Sequence, residues 1–181
     1  MELTQALAIA EAIRADMAPF CKRVEIAGSV RRRKPNVHDI EIVAEPLFKP
    51  IRNLFQEVTL EASLLDDYLN GLTWERIKGG NKYKQFALPQ GINLDLFLVT
   101  PPAHWGVLFV IRTGPADFSK WIVTPRKYGG CLPSDCKPVD GAILRNGRVV
   151  DLPEEIDFLD LLGLEWVEPW ERRPGILSRR I

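Results

Sequence analysis

Asp39, Glu41 and Asp95 are the acids whose sequence neighbours suggest chemistry. Asp39-Ile40-Glu41-Ile42 alternates acid with aliphatic residue, so on a strand both carboxylates leave one face while Ile40 and Ile42 enter the core. Two carboxylates held so close repel, which favours a bound cation, a shared proton or a basic neighbour. Nine residues separate Asp39 from Gly28-Ser29, which can offer backbone N–H groups and a hydroxyl to an anion; Arg31, Arg32, Arg33 and Lys34 add positive charge. Further on, Leu94, Leu96 and Leu98 alternate with Asn93, Asp95 and Phe97, so Asp95 leaves the non-leucine face of an apolar strand. Adjacent placement of the two strands would gather three carboxylates beside an anion cradle, a layout for metal-assisted phosphoryl chemistry.

The elements that must position these residues follow from periodicity. Leu3, Leu7, Ala10, Ile13 and Met17 mark an amphipathic helix over 2–18, ended by Pro19. Val24, Ile26 and Ala27 form a strand entering the Gly-Ser turn, and 37–44 forms the acid-bearing strand. Residues 50–70 read as helix with a break near Thr59, stopped by Asn70-Gly71. Three strands are expected over 74–77, 83–88 and 92–99, separated by Gly79-Gly80-Asn81 and Pro89-Gln90-Gly91. After Thr100-Pro101-Pro102 the pattern predicts helices over 103–111 and 116–123, a hairpin turning at Asn146-Gly147, and a helix over 154–162. An Arg-rich tail (Arg172, Arg173, Arg179, Arg180) closes the chain.

The whole is an α+β pattern with a subdomain boundary at the double proline. Lysine plus arginine equals aspartate plus glutamate at 24 each, and each half is balanced too, so any affinity for nucleic acid must come from local patches. No apolar run approaches a membrane span, and the N-terminus lacks the basic start of a secretory signal. Cys21, Cys131 and Cys136, with only His38 and His104, do not have the spacing of a structural zinc site.

Taken together these motifs resemble the family X DNA polymerases, the polymerase beta group of the nucleotidyltransferases. Gly28-Ser29-Val30-Arg31-Arg32 followed by Asp39-Ile40-Glu41 resembles the family's Gly-Ser-x-Arg-Arg…Asp-x-Asp element. Lys78-Gly79-Gly80-Asn81-Lys82-Tyr83 resembles the turn joining palm strands, and Asn93-Leu94-Asp95 falls where the third carboxylate belongs. Gly106-Val107-Leu108 with Thr113-Gly114 resembles the nucleotide-holding segment, and Phe158-Leu159 to Glu168-Pro169 the closing helix and ending. The chain departs from the pattern at Glu41 (usually Asp), Asn93 (usually basic), Ile111-Arg112 (usually Tyr-Phe), Pro115 and Val123.

The resemblance implies a nucleotidyltransferase palm over 1–101, a mixed β-sheet with helices on one side. A small α/β thumb over 102–181 would select the nucleotide, and no N-terminal lyase domain is expected. It implies DNA-directed transfer of dNMP from a dNTP to a primer 3′-hydroxyl, as in short-gap repair. Asp39, Glu41 and Asp95 would hold two Mg²⁺ ions, with Mn²⁺ as a substitute. Gly28, Ser29, Arg32, His38, Thr113 and Gly114 would hold the nucleotide, and Lys82, Lys120, Arg126 and Lys127 the DNA. A monomer in the cytoplasm of a bacterial or phage-infected cell is expected. Template-independent or non-DNA nucleotidyl transfer, and an inactive nucleic-acid-binding accessory, are the alternatives on the same fold.

Overall fold

The computed structural model describes residues 1–52 and 58–175. Helix α1 (Leu3–Met17) leads to strand β1 (Cys21–Ile26), the single-turn helix α2 (Gly28–Arg31) and strand β2 (Asp39–Pro46). A hairpin of β3 (Phe48–Arg52) and β4 (Val58–Ser63) precedes helix α3 (Leu64–Asn70). Strands β5 (Glu75–Gly79), β6 (Tyr83–Ala87) and β7 (Asn93–Leu98) follow. The C-terminal part contains helices α4 (Trp105–Thr113) and α5 (Ala116–Val123), a small sheet of β8 (Cys136–Val139), β9 (Ala142–Arg145) and β10 (Arg148–Val149), and helix α6 (Glu155–Leu162).

The main sheet has the order β1-β2-β7-β6-β5 and is mixed. Its one parallel pairing, β2 with β7, lies where the acids are; β1–β2, β7–β6 and β6–β5 are antiparallel. A parallel pair needs a long crossover, and residues 47–92 supply it. One face of the sheet is covered by α1 and α3, which bury Ala6, Ala10, Ile13, Met17, Leu65 and Leu69 against Ile40, Ile42, Leu94 and Leu96. The buried stripe of α1 is turned from the expected one: Ala6 is fully covered and Leu7 faces out, because the small alanines bring the helix close to the sheet.

On the other face α4 lays Trp105 and Phe109 against Val43 and Phe97, and the acids lie half-buried further along it. Helix α4 is also part of the second core, where Val107 and Val110 meet Phe118, Ile122, Phe158 and Leu162. It can serve both because Gly106 touches α6's approach: a Cβ there would overlap the Glu154 carbonyl. The first core draws on residues up to Leu98 and the second begins at Val107, on either side of the double proline. Among the described residues no helix is long and apolar enough to cross a membrane.

Of the helix expected over 50–70 only the last part forms, Leu64–Asn70, stopped at Gly71 as expected, while the described residues before it are strand. Pro50 and the alternation in β3 and β4 favour extended chain, with Phe48 opposite Ser63 and Ile51 opposite Leu60. Thr59, the expected break, lies inside β4, and residues 53–57 lie outside the described residues. The helix begins only after Ser63, whose Oγ accepts from the Asp66 N–H at 3.1 Å as an N-cap. The 142–149 hairpin forms as expected, with both Asn146 (φ 51°) and Gly147 (φ 76°) left-handed as a type I′ turn requires.

Candidate active site

The β2–β7 register decides the site. It sets Asp39 opposite Asn93 and Glu41 opposite Asp95, so two adjacent strands deliver three carboxylates to one face of the sheet. The next strand adds support: β6 places Gln85 opposite Asp95, and Tyr83 leaves the same face. Tyr83 Oη donates to Asp95 Oδ1 at 2.9 Å and Gln85 Nε2 donates to the same oxygen at 2.8 Å, which fixes the Asp95 rotamer.

Glu41 turns toward α2. Gly28, at φ +58°, has no room for a side chain, because a Cβ would overlap the Glu41 carboxylate. The Gly-Ser turn is thus a single helical turn whose first residue must be glycine for two reasons, backbone angle and contact.

Electrostatics follow from this crowding. Burial, then repulsion from Asp39, pushes the Glu41 carboxyl up to about 7. Burial and then Asp95 raise Asp39, while nearby His38 and Arg32 pull it back. Burial, then the hydrogen bond to Asp95, lifts the Tyr83 hydroxyl to about 12, so it remains a donor at neutral pH. Burial lowers Arg32 and Arg112, opposed in each case by Glu41.

A cavity of about 330 Å³ lies beside the acids, lined by Ser29, Arg32, Asp39, Glu41, Arg112 and Gly114 among others. Ser29 Oγ, Arg32 Nε and Arg112 Nε are buried and have no hydrogen-bond partner. Buried polar groups are ordinarily paired, so three orphaned donor groups around one cavity point to an acceptor-rich ligand. A second cavity, about 570 Å³, opens on the far side of Glu41 and Arg112 and reaches Asp95, Phe97 and Lys82.

Other expected residues are held in different ways. Arg32 Nη1 donates to the carbonyls of Thr113 (2.7 Å) and Gly114 (3.1 Å), joining α2 to the end of α4. Thr113 is fully buried, and its hydroxyl accepts from Arg31 at 2.7 Å. Gly114 is required by packing, since a Cβ would overlap Phe118 and Ser119 of α5. His38 is exposed beside Asp39. Lys82 is exposed and pairs with Asp140 at 3.0 Å. Lys120 and Lys127 are exposed, whereas Arg126 donates to the carbonyls of Cys131 (3.1 Å) and Leu162 (2.7 Å) and so braces a loop. Arg179 and Arg180 lie outside the described residues, while Arg172 is buried.

No family model and no curated protein matches this chain.

Among the described residues no three carboxylate, imidazole or thiol groups are drawn together tightly enough to cage a metal ion. Glu41 leans on Gly28 and Asp95 is held by Tyr83 and Gln85, so the acids are neighbours on the sheet without being a closed cage. Their chemistry nevertheless fits a hard divalent cation: the donors are carboxylate oxygens, and their mutual repulsion is what such an ion would relieve.

Sequence patterning did not assign Tyr83, Gln85 or Arg112 to the site. The first two could be found by folding the Pro89-Gln90-Gly91 hairpin on paper, which puts Gln85 across from Asp95. Arg112 stands out only once α4 is seen to lie across the sheet.

Proposed function

We propose that this chain is a nucleotidyltransferase of the family X polymerase type, joining dNMP from a dNTP to a DNA 3′-hydroxyl and releasing pyrophosphate during short-gap repair. One observation carries this reading: Ser29 Oγ, Arg32 Nε and Arg112 Nε lack partners around the cavity that also borders Asp39 and Glu41. A hydroxyl and two guanidinium N–H groups suit phosphate oxygens, and acids beside them suit the cation that accompanies a triphosphate.

In this reading Ser29 and Arg32 donate to the β- and γ-phosphates. Arg32 does so through Nε while Nη1 keeps its hold on Thr113 and Gly114, so phosphate binding and the seat of α4 are linked. Asp95 accepts the proton of the attacking 3′-hydroxyl at Oδ2, its orientation fixed by the two donors on Oδ1. Asp39, Glu41 and Asp95 would hold Mg²⁺, which would supply charge neutralisation at the attacking and leaving oxygens. Residues 1–101 act as the palm and 102–181 as the nucleotide-selecting thumb.

Primer extension tests this. Asp39→Ala is expected to abolish incorporation while the chain stays folded by circular dichroism. Near-normal incorporation by that variant would sink the assignment. The same assay without a template strand, and with ribonucleotides, separates templated DNA synthesis from the other transferase activities.

A further inference from the structure

Tyr128 is the most exposed large hydrophobic side chain among the described residues, with 71% of its surface open. It does not hang from a slack loop. Arg126–Tyr128 forms a 3₁₀ turn, closed by Tyr128 N–H to the Pro125 carbonyl (2.9 Å) and by Arg126 N–H to the Leu132 carbonyl (2.8 Å). Gly129 takes the left-handed backbone (φ +83°), and Gly130 presses on Thr124 where a Cβ would overlap the Thr124 carbonyl. The Arg126 side chain then ties the loop to the Leu162 carbonyl at the end of α6. A tyrosine so exposed on a loop so firmly held is pre-organised for contact, because little freedom remains to be lost on binding.

Across a groove of about 260 Å³ stands Trp121 of α5, with Lys120 at the groove wall. Lys127 Nζ lies 5.0 Å from the Tyr128 ring centre. The surroundings have two exposed lysines against one acid, Asp117. Aromatic faces interleaved with cations suit a strand whose bases are unpaired: the rings take the π-faces, the lysines take the phosphates. A duplex hides those faces and has only phosphates to offer here.

We infer that the loop after α5 presents Tyr128 and Trp121 as a stacking platform for unpaired bases of single-stranded nucleic acid, with Lys120 and Lys127 on its phosphates. This deepens the nucleic-acid reading above and rests on it: the platform holds a single strand beyond the reacting end.

The test is fluorescence anisotropy of the full chain, without metal, on three labelled probes: oligo(dT) of about 12 nucleotides, an abasic strand of that length and the matching duplex. Tyr128→Ala is expected to weaken oligo(dT) binding about tenfold, Tyr128→Phe to leave it intact, and the abasic strand to bind wild type as weakly as the alanine variant binds oligo(dT). Lys127→Gln should lower the salt slope by about 0.7 while leaving the preference for bases. Equal affinity of Tyr128→Ala and wild type for oligo(dT), equal losses on duplex and single strand, or no binding of oligo(dT) by wild type would each overturn the platform. Primer extension keeps the two ideas apart. Normal extension with unaltered Tyr128→Ala binding removes the platform alone; absent extension with a clear Tyr128 effect removes the transferase alone.

Discussion

Arg112 lies over the ring of Phe97, its guanidinium carbon 3.9 Å from the ring centre, and so reaches from α4 across the sheet face that carries the acids. It borders both cavities, with Glu41 common to both as well. Phe97 backs the guanidinium, and the unpartnered Nε gives it a donor to offer. A guanidinium held this way reads phosphate by geometry and charge, which a lysine does not reproduce. Arg112→Lys is therefore expected to weaken binding of a fluorescent triphosphate analogue about tenfold, the cost of about one charge-assisted hydrogen bond. An unchanged dissociation constant would remove Arg112 from the nucleotide site.

Glu41 gives the fold a pH dependence whose sign is set. Its carboxyl titrates near 7 in the folded chain against an ordinary value of 4.5, so the native state holds the proton more tightly than the unfolded state. Stability is therefore full below the unfolded value and falls as pH rises through about 7, by a total of about 3 kcal/mol. Asp39, also raised, adds to the same trend. Urea unfolding at about pH 5 and about pH 8 should show the loss in wild type and a flatter response in Glu41→Gln. Mg²⁺ should restore stability at the higher pH in wild type, by binding the native acids alone. A wild type that grows more stable over this interval would contradict the environment described for Glu41.

Much of the site was legible because period-two alternation is a local property. Asp39-Ile40-Glu41 and Leu94-Asp95-Leu96 announce their buried and open faces from their own neighbours, and the acids do leave one face. Residues 50–52 and 58–63 fit a helix on paper for the same reason in reverse: short apolar runs fit helix and strand spacing alike, and only the pairing of β3 with β4 decides. Nor could spacing foresee that Arg32 would bind the Thr113 and Gly114 carbonyls, or that Arg126 would brace a loop, since both depend on contacts 81 and 36 residues away. Charge type was readable; what each charge meets was not.

Glu155 joins the two parts of the molecule. Its Oε1 accepts from Arg31 (2.9 Å) and Arg172 (2.9 Å), and its Oε2 accepts from Arg31 at 2.6 Å. Burial would raise this acid, but the two guanidiniums outweigh burial and hold it below the usual range. Arg31 also stacks on Phe109, 4.0 Å from the ring centre, so α2, α4, α6 and the C-terminal segment meet at one carboxylate. Glu155→Ala leaves Arg172, only 3% exposed, with its charge buried and uncompensated. The expected loss is about 3–5 kcal/mol in urea unfolding. The Arg31–Glu155 double-mutant cycle should give a coupling of about 1–3 kcal/mol. Additive losses would show that the ion pair does not link the two parts.

Gly28 and Glu41 allow the anion cradle and the acid cluster to be tested as one unit. Gly28→Ala is strained twice, by the left-handed backbone and by overlap with the Glu41 carboxylate. The backbone component alone is about 1–2 kcal/mol for a residue with a Cβ. The overlap adds to it, because the carboxylate must leave the pocket that α2 and β2 make for it. Glu41→Ala removes the overlapping atoms at the carboxylate end and leaves the backbone component untouched. The double variant should therefore lose less stability than the two single losses added together, with a coupling of about 0.5–3 kcal/mol in thermal or urea unfolding. Strict additivity would mean that the Gly28 Cβ position and the Glu41 carboxylate are not in contact in solution, and the close seating of the acid on the Gly-Ser turn would have to be abandoned.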